Sequence, residues 1–271
     1  MGASFAVEVE KLRRRPASWV LAGILAAFVL LVGYAANYAV LAATGGGAQN
    51  PFAQILLPSG VPSNVLNAIP SVGAALAVIL GAMSMGSEYR WDTVKANVVR
   101  RPGRLGLLGG KLLALLAAAA GLALAALLTG LVASLVVALL QGAGLSPPPP
   151  AQSVAALGAG WLILSTYAAL GLFLAVLVRG SGAAVALGLV YVLVLESIVS
   201  SLAGQIPGGQ AVGGALPGGA AQALAGAIGQ QGGAAVSGPL AGPVAATALL
   251  AGWLVLFGAL SVLLFTRRDA P

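Results

Sequence analysis

The sequence predicts an all-α integral membrane protein with six transmembrane helices, and three observations predict it. Hydrophobic residues fill 59% of the 271 positions and charged residues only 7%, with a mean hydropathy of +1.01, whereas a soluble globular chain carries roughly 25% charged residues. The apolar runs are each long enough for a span of about 20 residues. Every Lys and Arg falls between alternate runs: four before the first, six in 88–111, one at Arg179 and two at 267–268. The three opposite linkers hold no charged residue, so retention of positive charge during insertion orients the chain with both termini in the cytoplasm.

Residues 2–15 open the chain as an interfacial amphipathic helix, with Phe5, Val9 and Leu12 on one face and Glu8, Lys11 and Arg15 on others. The four basic residues before an apolar run imitate a signal peptide, but the run from Ala17 to about Leu41 far exceeds an h-region of roughly 7–15 residues. It is read as a retained first span, opened by Pro16. The remaining spans are expected at about 69–87, 112–140, 153–178, 183–203 and 244–265, all within one transmembrane domain, 1–271. Pro147 to Pro150 stop the third span and form a stiff external spacer. Residues 204–243 are dense in Gly, Ala and Pro. They fit a flexible linker as well as a pair of outer re-entrant half-helices around the apolar stretch Ala220 to Ile228, which would need protein or water cover at membrane depth.

A formal charge of +7 and a pI near 10.4 could signal nucleic acid, but a base-reading surface needs a soluble face to carry it, and no nucleic-acid partner is expected. The absence of Cys and His removes thiol chemistry, imidazole metal sites and His-dependent triads. No catalytic, cofactor-binding or metal-binding residue is assigned.

The most informative segment is Gly86-Ser87-Glu88-Tyr89-Arg90-Trp91-Asp92-Thr93-Val94-Lys95, continuing through Arg100-Arg101-Pro102-Gly103-Arg104 to Lys111. As a helix it groups Trp91, Val94 and Val98 on one face and pairs Glu88 with Asp92 and Asp92 with Lys95. A charged loop that only sets topology is the plain reading. A short cytoplasmic helix that docks into a partner is the sharper one, since topology alone needs no Trp91.

This segment resembles the stretch between the second and third spans of type-2 permeases of ATP-binding cassette (ABC) transporters: Glu88, Tyr89, Thr93, Arg101, Pro102, Arg104 and Lys111 match the family's pattern, while Asp92 stands at its usual Gly. The amphipathic first helix, the six spans and the stretch Leu216 to Leu224 are similar to that family too. The resemblance implies a permease subunit that pairs with a second one and is driven by separate ATPase subunits, which carry ATP and Mg. It also implies that a coupling helix over 88–100 transmits their movement, with Glu88, Tyr89, Trp91, Asp92, Thr93 and Lys95 as the coupling residues. Independently, no phosphate-binding loop of the form G-x-x-x-x-G-K-[ST] exists here: Gly106 to Lys111 is one residue short, and Leu112 follows where Ser or Thr would reach magnesium. The chain is therefore expected to be a transport subunit without its own ATPase site.

Glu196 is the only acidic residue inside an expected span, and a carboxylate at that depth costs several kcal/mol unless paired, hydrated or protonated. A substrate contact or conformational latch is one reading; a structural hydrogen bond to Ser197, Ser200 or a neighbouring helix is the other. Tyr34, Asn37, Tyr167 and Tyr191 are further polar or aromatic candidates for an amphipathic substrate path or gate, although most such groups simply pack. The expected function is an ATP-driven efflux permease for an amphipathic small molecule, lipid or peptide, in the cell membrane of a bacterium, as the Ala, Gly and Arg bias suits. The alternatives are an ion-coupled carrier using Glu196, and, further off, an intramembrane enzyme or a scaffold.

Overall fold

The computed structural model describes residues 2–44, 51–90, 104–142, 146–206, 210–229 and 242–268. The described residues are helical with no strand, and six helices are long and apolar enough to cross a membrane. After α1 (Gly2–Arg14), the spans are α2 (Pro16–Ala43), α4 (Pro58–Tyr89), α5 (Arg104–Gln141), α6 (Pro150–Val178), α7 (Ser181–Gln205) and α10 (Pro243–Arg268). The short α3 (Pro51–Leu56) lies between the first two spans, and α8 (Gln210–Ala215) and α9 (Pro217–Gly229) lie between the last two.

Prolines set the boundaries. Pro16, Pro58, Pro150 and Pro243 each begin a span, where the missing N–H would be unsatisfied in any case. This is why the second span begins at Pro58 rather than at 69: Pro58 and Pro62 sit in opening turns, and Val61, Val65 and Leu66 are buried. Pro70 falls inside the helix, and the backbone widens into a π-helical turn over Ile69–Gly73, one way of absorbing the lost hydrogen bond. The third helix likewise starts at Arg104 rather than 112. The turn at Arg179 is closed by a left-handed residue (φ 57°) whose N–H reaches Ala175 O at 2.9 Å, a helix C-terminal conformation usually given to Gly.

α6 is the central helix, packing on α4, α5, α7, α9 and α10. Its contact with α4 is the most extensive and the closest: a Cβ on Gly81 would overlap the Ala168 carbonyl oxygen, and one on Gly171 would overlap that of Val78. Small residues let the two backbones meet, which is how helices associate in lipid without a hydrophobic driving force. Phe173 stacks on Phe257 and Phe257 on Trp253, with centroids 6.0 and 5.3 Å apart, tying α6 to α10. By contrast, α2, α7 and α10 expose long apolar faces, as lipid-facing or partner-facing spans do.

The half-helix reading of 204–243 fits the described part of that segment better than a linker does. α9 buries Ala220, Ala221, Leu224 and Ala225 against α4, α6 and α10. Two side chains pin the pair: Trp253 Nε1 donates to Ala215 O at 2.9 Å, and Gln152 Nε2 donates to Ile228 O at 3.2 Å. Alternation of the six spans puts this pair at the end of the bundle opposite the two termini.

Candidate functional site

Two polar constellations occupy opposite ends of the bundle. At the terminus end, α1 lies against α5 and delivers Glu8 into a buried ion cluster. Lys111 Nζ donates to Glu8 Oε2 at 2.9 Å, to Glu88 Oε1 at 3.0 Å and to Ser84 O at 3.0 Å. Lys11 Nζ donates to Glu8 Oε1 at 2.8 Å and to Glu88 Oε1 at 3.2 Å. Among the described residues, two carboxylates thus face two ammonium groups, where Lys111 is only 1% exposed. Next to them Arg15 donates to Met83 O at 3.2 Å and Ser87 Oγ at 2.9 Å. The cluster joins three elements, α1, the end of α4 and the start of α5, and so takes in both helices that flank residues 91–103 in the chain.

Burial pushes the Glu8 carboxyl up, but the Lys111 and Lys11 charges and hydrogen bonds outweigh it and hold the group below its ordinary value of 4.5. A carboxylate depressed in the folded state contributes stability that is complete above the unfolded value and lost as pH falls through the folded one. Wild type minus Glu8→Gln stability, followed by thermal unfolding in detergent, should therefore be flat above pH 4.5 and shrink below it. The Glu10–Arg14 pair is an exposed counterpart on the same helix, and Glu10→Gln should leave the melting temperature unchanged, as exposed pairs do.

At the opposite end, the floor of a cavity of about 580 Å³ is formed by Glu196 and Gly218. Tyr167 O–H donates to Glu196 Oε2 at 2.8 Å, and the Gly218 N–H donates to Oε1 at 3.0 Å. Tyr191 stands beside the same carboxylate. Asn67, Ser71, Ser197, Ser200 and Gln222 form the exposed polar rim. Two π-helical turns adjoin the cavity, Ile69–Gly73 in α4 and Tyr191–Leu195 in α7; such turns concentrate at functional sites. Ser197 does not satisfy Glu196: its hydroxyl donates to Leu193 O and Val194 O of its own helix. The carboxylate is held instead by α6 and by the N-terminal turn of α9.

The structure thus brings Tyr167, Tyr191 and Glu196 together and puts Tyr34 and Asn37 elsewhere. A π-helical stretch over Val29–Ala36 surrounds Gly33, whose carbonyl accepts from Asn37 Nδ2 at 2.7 Å and from Asn64 Nδ2 at 2.8 Å. That is a structural arrangement in which two amides serve a carbonyl of a widened turn. Asn64→Leu should cost about 1–2 kcal/mol, read as a lower melting temperature of the purified chain. Of the expected coupling residues, Glu88 is in the ion cluster and Tyr89 is half-buried against the core; Trp91, Asp92, Thr93 and Lys95 lie outside the described residues. Gly106 to Lys111 are helical, so the near-miss phosphate-loop spacing sits within a rod and not in a loop.

Sequence reasoning did not bring Glu8, Lys11 and Lys111 together with Glu88, gave Gly218 no role of its own within the stretch Leu216 to Leu224, and missed Asn64. The usable signal was Lys111, a cation beyond the start of a helix that carries no further charge to Gln141. A protein-family model described as ABC-2 family transporter protein matches residues 4–195. A search of curated proteins finds no match.

Proposed function

Since the chain belongs to the ABC-2 family of transporter proteins, and is thus a membrane permease component of an ABC transporter, we propose that it is the membrane-spanning half of an ATP-driven exporter whose ATP and Mg are bound by a separate subunit. Two such permease chains pair in the cell membrane of a bacterium, with both termini cytoplasmic, to move an amphipathic small molecule, lipid or peptide. The observation that carries this reading is the ion cluster at the terminus end. Glu8, Lys11, Glu88 and Lys111 bind α1, α4 and α5 into one unit at the root of the 91–103 stretch, where a pushing partner would act.

In this mechanism the chain makes and breaks no covalent bond. Closure of the ATPase displaces the segment carrying Trp91, Asp92, Thr93 and Lys95, and the cluster passes that displacement to α4 and α5 together. Since α4 also lines the cavity through Asn67 and Ser71, movement of its near end is felt at its far end, shifting the population between states of different cargo affinity. Pull-down of the detergent-solubilised chain from native membranes tests the partnership. Wild type should bring down an ATPase, and a Trp91→Ala, Asp92→Ala variant should lose it while remaining folded. Recovery of no ATPase with intact wild-type chain would contradict the proposal.

A further inference from the structure

We propose that the cavity floored by Glu196 is a binding site for an amphipathic organic cation, an aromatic or alkyl body carrying an amine or ammonium group. The inference rests on the permease reading, because it names the class of cargo.

The chemistry of the lining leads there. Glu196 is the single ionisable group among the lining residues, and no Lys or Arg among the described residues forms a salt bridge with it. The carboxylate already accepts from the protein, at Oε1 from the Gly218 N–H and at Oε2 from the Tyr167 hydroxyl, with the Tyr191 hydroxyl as a third partner. An ionised carboxylate has about four acceptor sites, so one remains for a ligand on the cavity side beyond these three partners. A buried charge left without a counter-charge is costly; a cationic ligand supplies one. Leu66, Pro70, Val192, Leu193 and Ala225 give the cavity apolar walls, and its 580 Å³ lies within the roughly 300–1,000 Å³ of small-molecule sites. The site is an apolar slot with a single anionic end and a rim of neutral hydrogen-bonding groups. An anionic headgroup would meet Glu196 as a like charge, and a neutral lipid would leave it unpaired.

α9 makes the arrangement a gate as well as a site. The Gly218 N–H that holds Oε1 belongs to the first turn of α9, and a Cβ at Gly218 would overlap the carboxylate. A ligand amine that draws Glu196 toward itself competes with that bond, so occupancy and the seating of α9 are linked.

Ethidium, a planar aromatic cation with amino groups, is the probe. It is titrated into the purified full-length chain without any ATPase and followed by fluorescence, with the anionic dye 8-anilinonaphthalene-1-sulfonate as comparison. Saturable ethidium binding is expected, weakened about 10-fold or more by Glu196→Gln and largely kept by Glu196→Asp. Should Glu196→Gln not fold, two rim variants carry the test, since Ser200 and Ser71 are exposed. Ser200→Trp fills the slot and Ser71→Lys sets a cation opposite the carboxylate; both should weaken ethidium binding. Equal affinity in folded Glu196→Gln and wild type, or no effect of either rim variant, would overturn the proposal. The sulfonate dye displacing ethidium would overturn it too. ATPase recovery without ethidium binding would sink the cation site alone; ethidium binding without ATPase recovery would sink the ATP-driven exporter reading alone.

Discussion

Lys111→Met is expected to destabilise the chain by about 3–5 kcal/mol, the largest effect of any single substitution at the terminus end. Lys111 contacts both carboxylates of the cluster and the Ser84 carbonyl, and it is almost entirely enclosed. Methionine fills similar space but takes one positive charge away from Glu8 and Glu88 where water is scarce. Pairing such charges yields little net stability over an apolar core, but removing one partner leaves an uncompensated ion. The double variant Lys111→Met, Glu8→Gln removes one charge of each sign and keeps the Lys11–Glu88 pair, at 3.2 Å. It should therefore recover much of the loss in detergent melting experiments. A double variant as unstable as the single one would show that Lys111 acts through packing and not charge.

Gly81→Val should have the next largest effect, because it drives a wedge between the two most extensively packed helices. A Cβ at Gly81 would overlap the carbonyl oxygen of Ala168, which belongs to the backbone of α6 and cannot rotate away as a side-chain tip can. Relief requires the helices to separate, undoing the reciprocal contact at Gly171. Overpacking of this kind costs about 1–3 kcal/mol and more where backbone must shift. Gly121 is the control: nothing lies within 4 Å of its Cβ position, and Gly121→Ala should be neutral or stabilising by up to about 1 kcal/mol through helix propensity. Equal melting temperatures for Gly81→Val and wild type would contradict the close approach of α4 and α6.

The spans were legible because hydrophobic length alone decides them. Their ends were not: charge ended the second span at 87 and delayed the third to 112, and proline and glycine marked 42–68 as a linker, yet the spans run into both segments, with Lys111 neutralised by partners and Pro58 and Pro62 opening turns. Glu196 stood out as a lone acid in an apolar run. Its partners Tyr167 and Gly218 lie 29 and 22 residues away, and no local pattern reports on a tertiary contact. The ion cluster is the extreme case, since Glu8 and Lys111 are 103 residues apart and meet only because α1 folds back along α5. The membrane class and the family were thus readable from runs and motifs, whereas the site's geometry depends on how the helices cross.

ATP binding on a partner should change the cavity at the far end of this chain. The sequence has no cysteine, so Ser200→Cys gives a single thiol on the cavity rim, and its rate of N-ethylmaleimide labelling in native membranes reads the cavity's state. ATP with vanadate should change this rate in the native complex and leave it unchanged for the purified chain alone. A rate indifferent to nucleotide but altered when the proton gradient is collapsed would contradict the claim and make Glu196 the centre of an ion-coupled carrier.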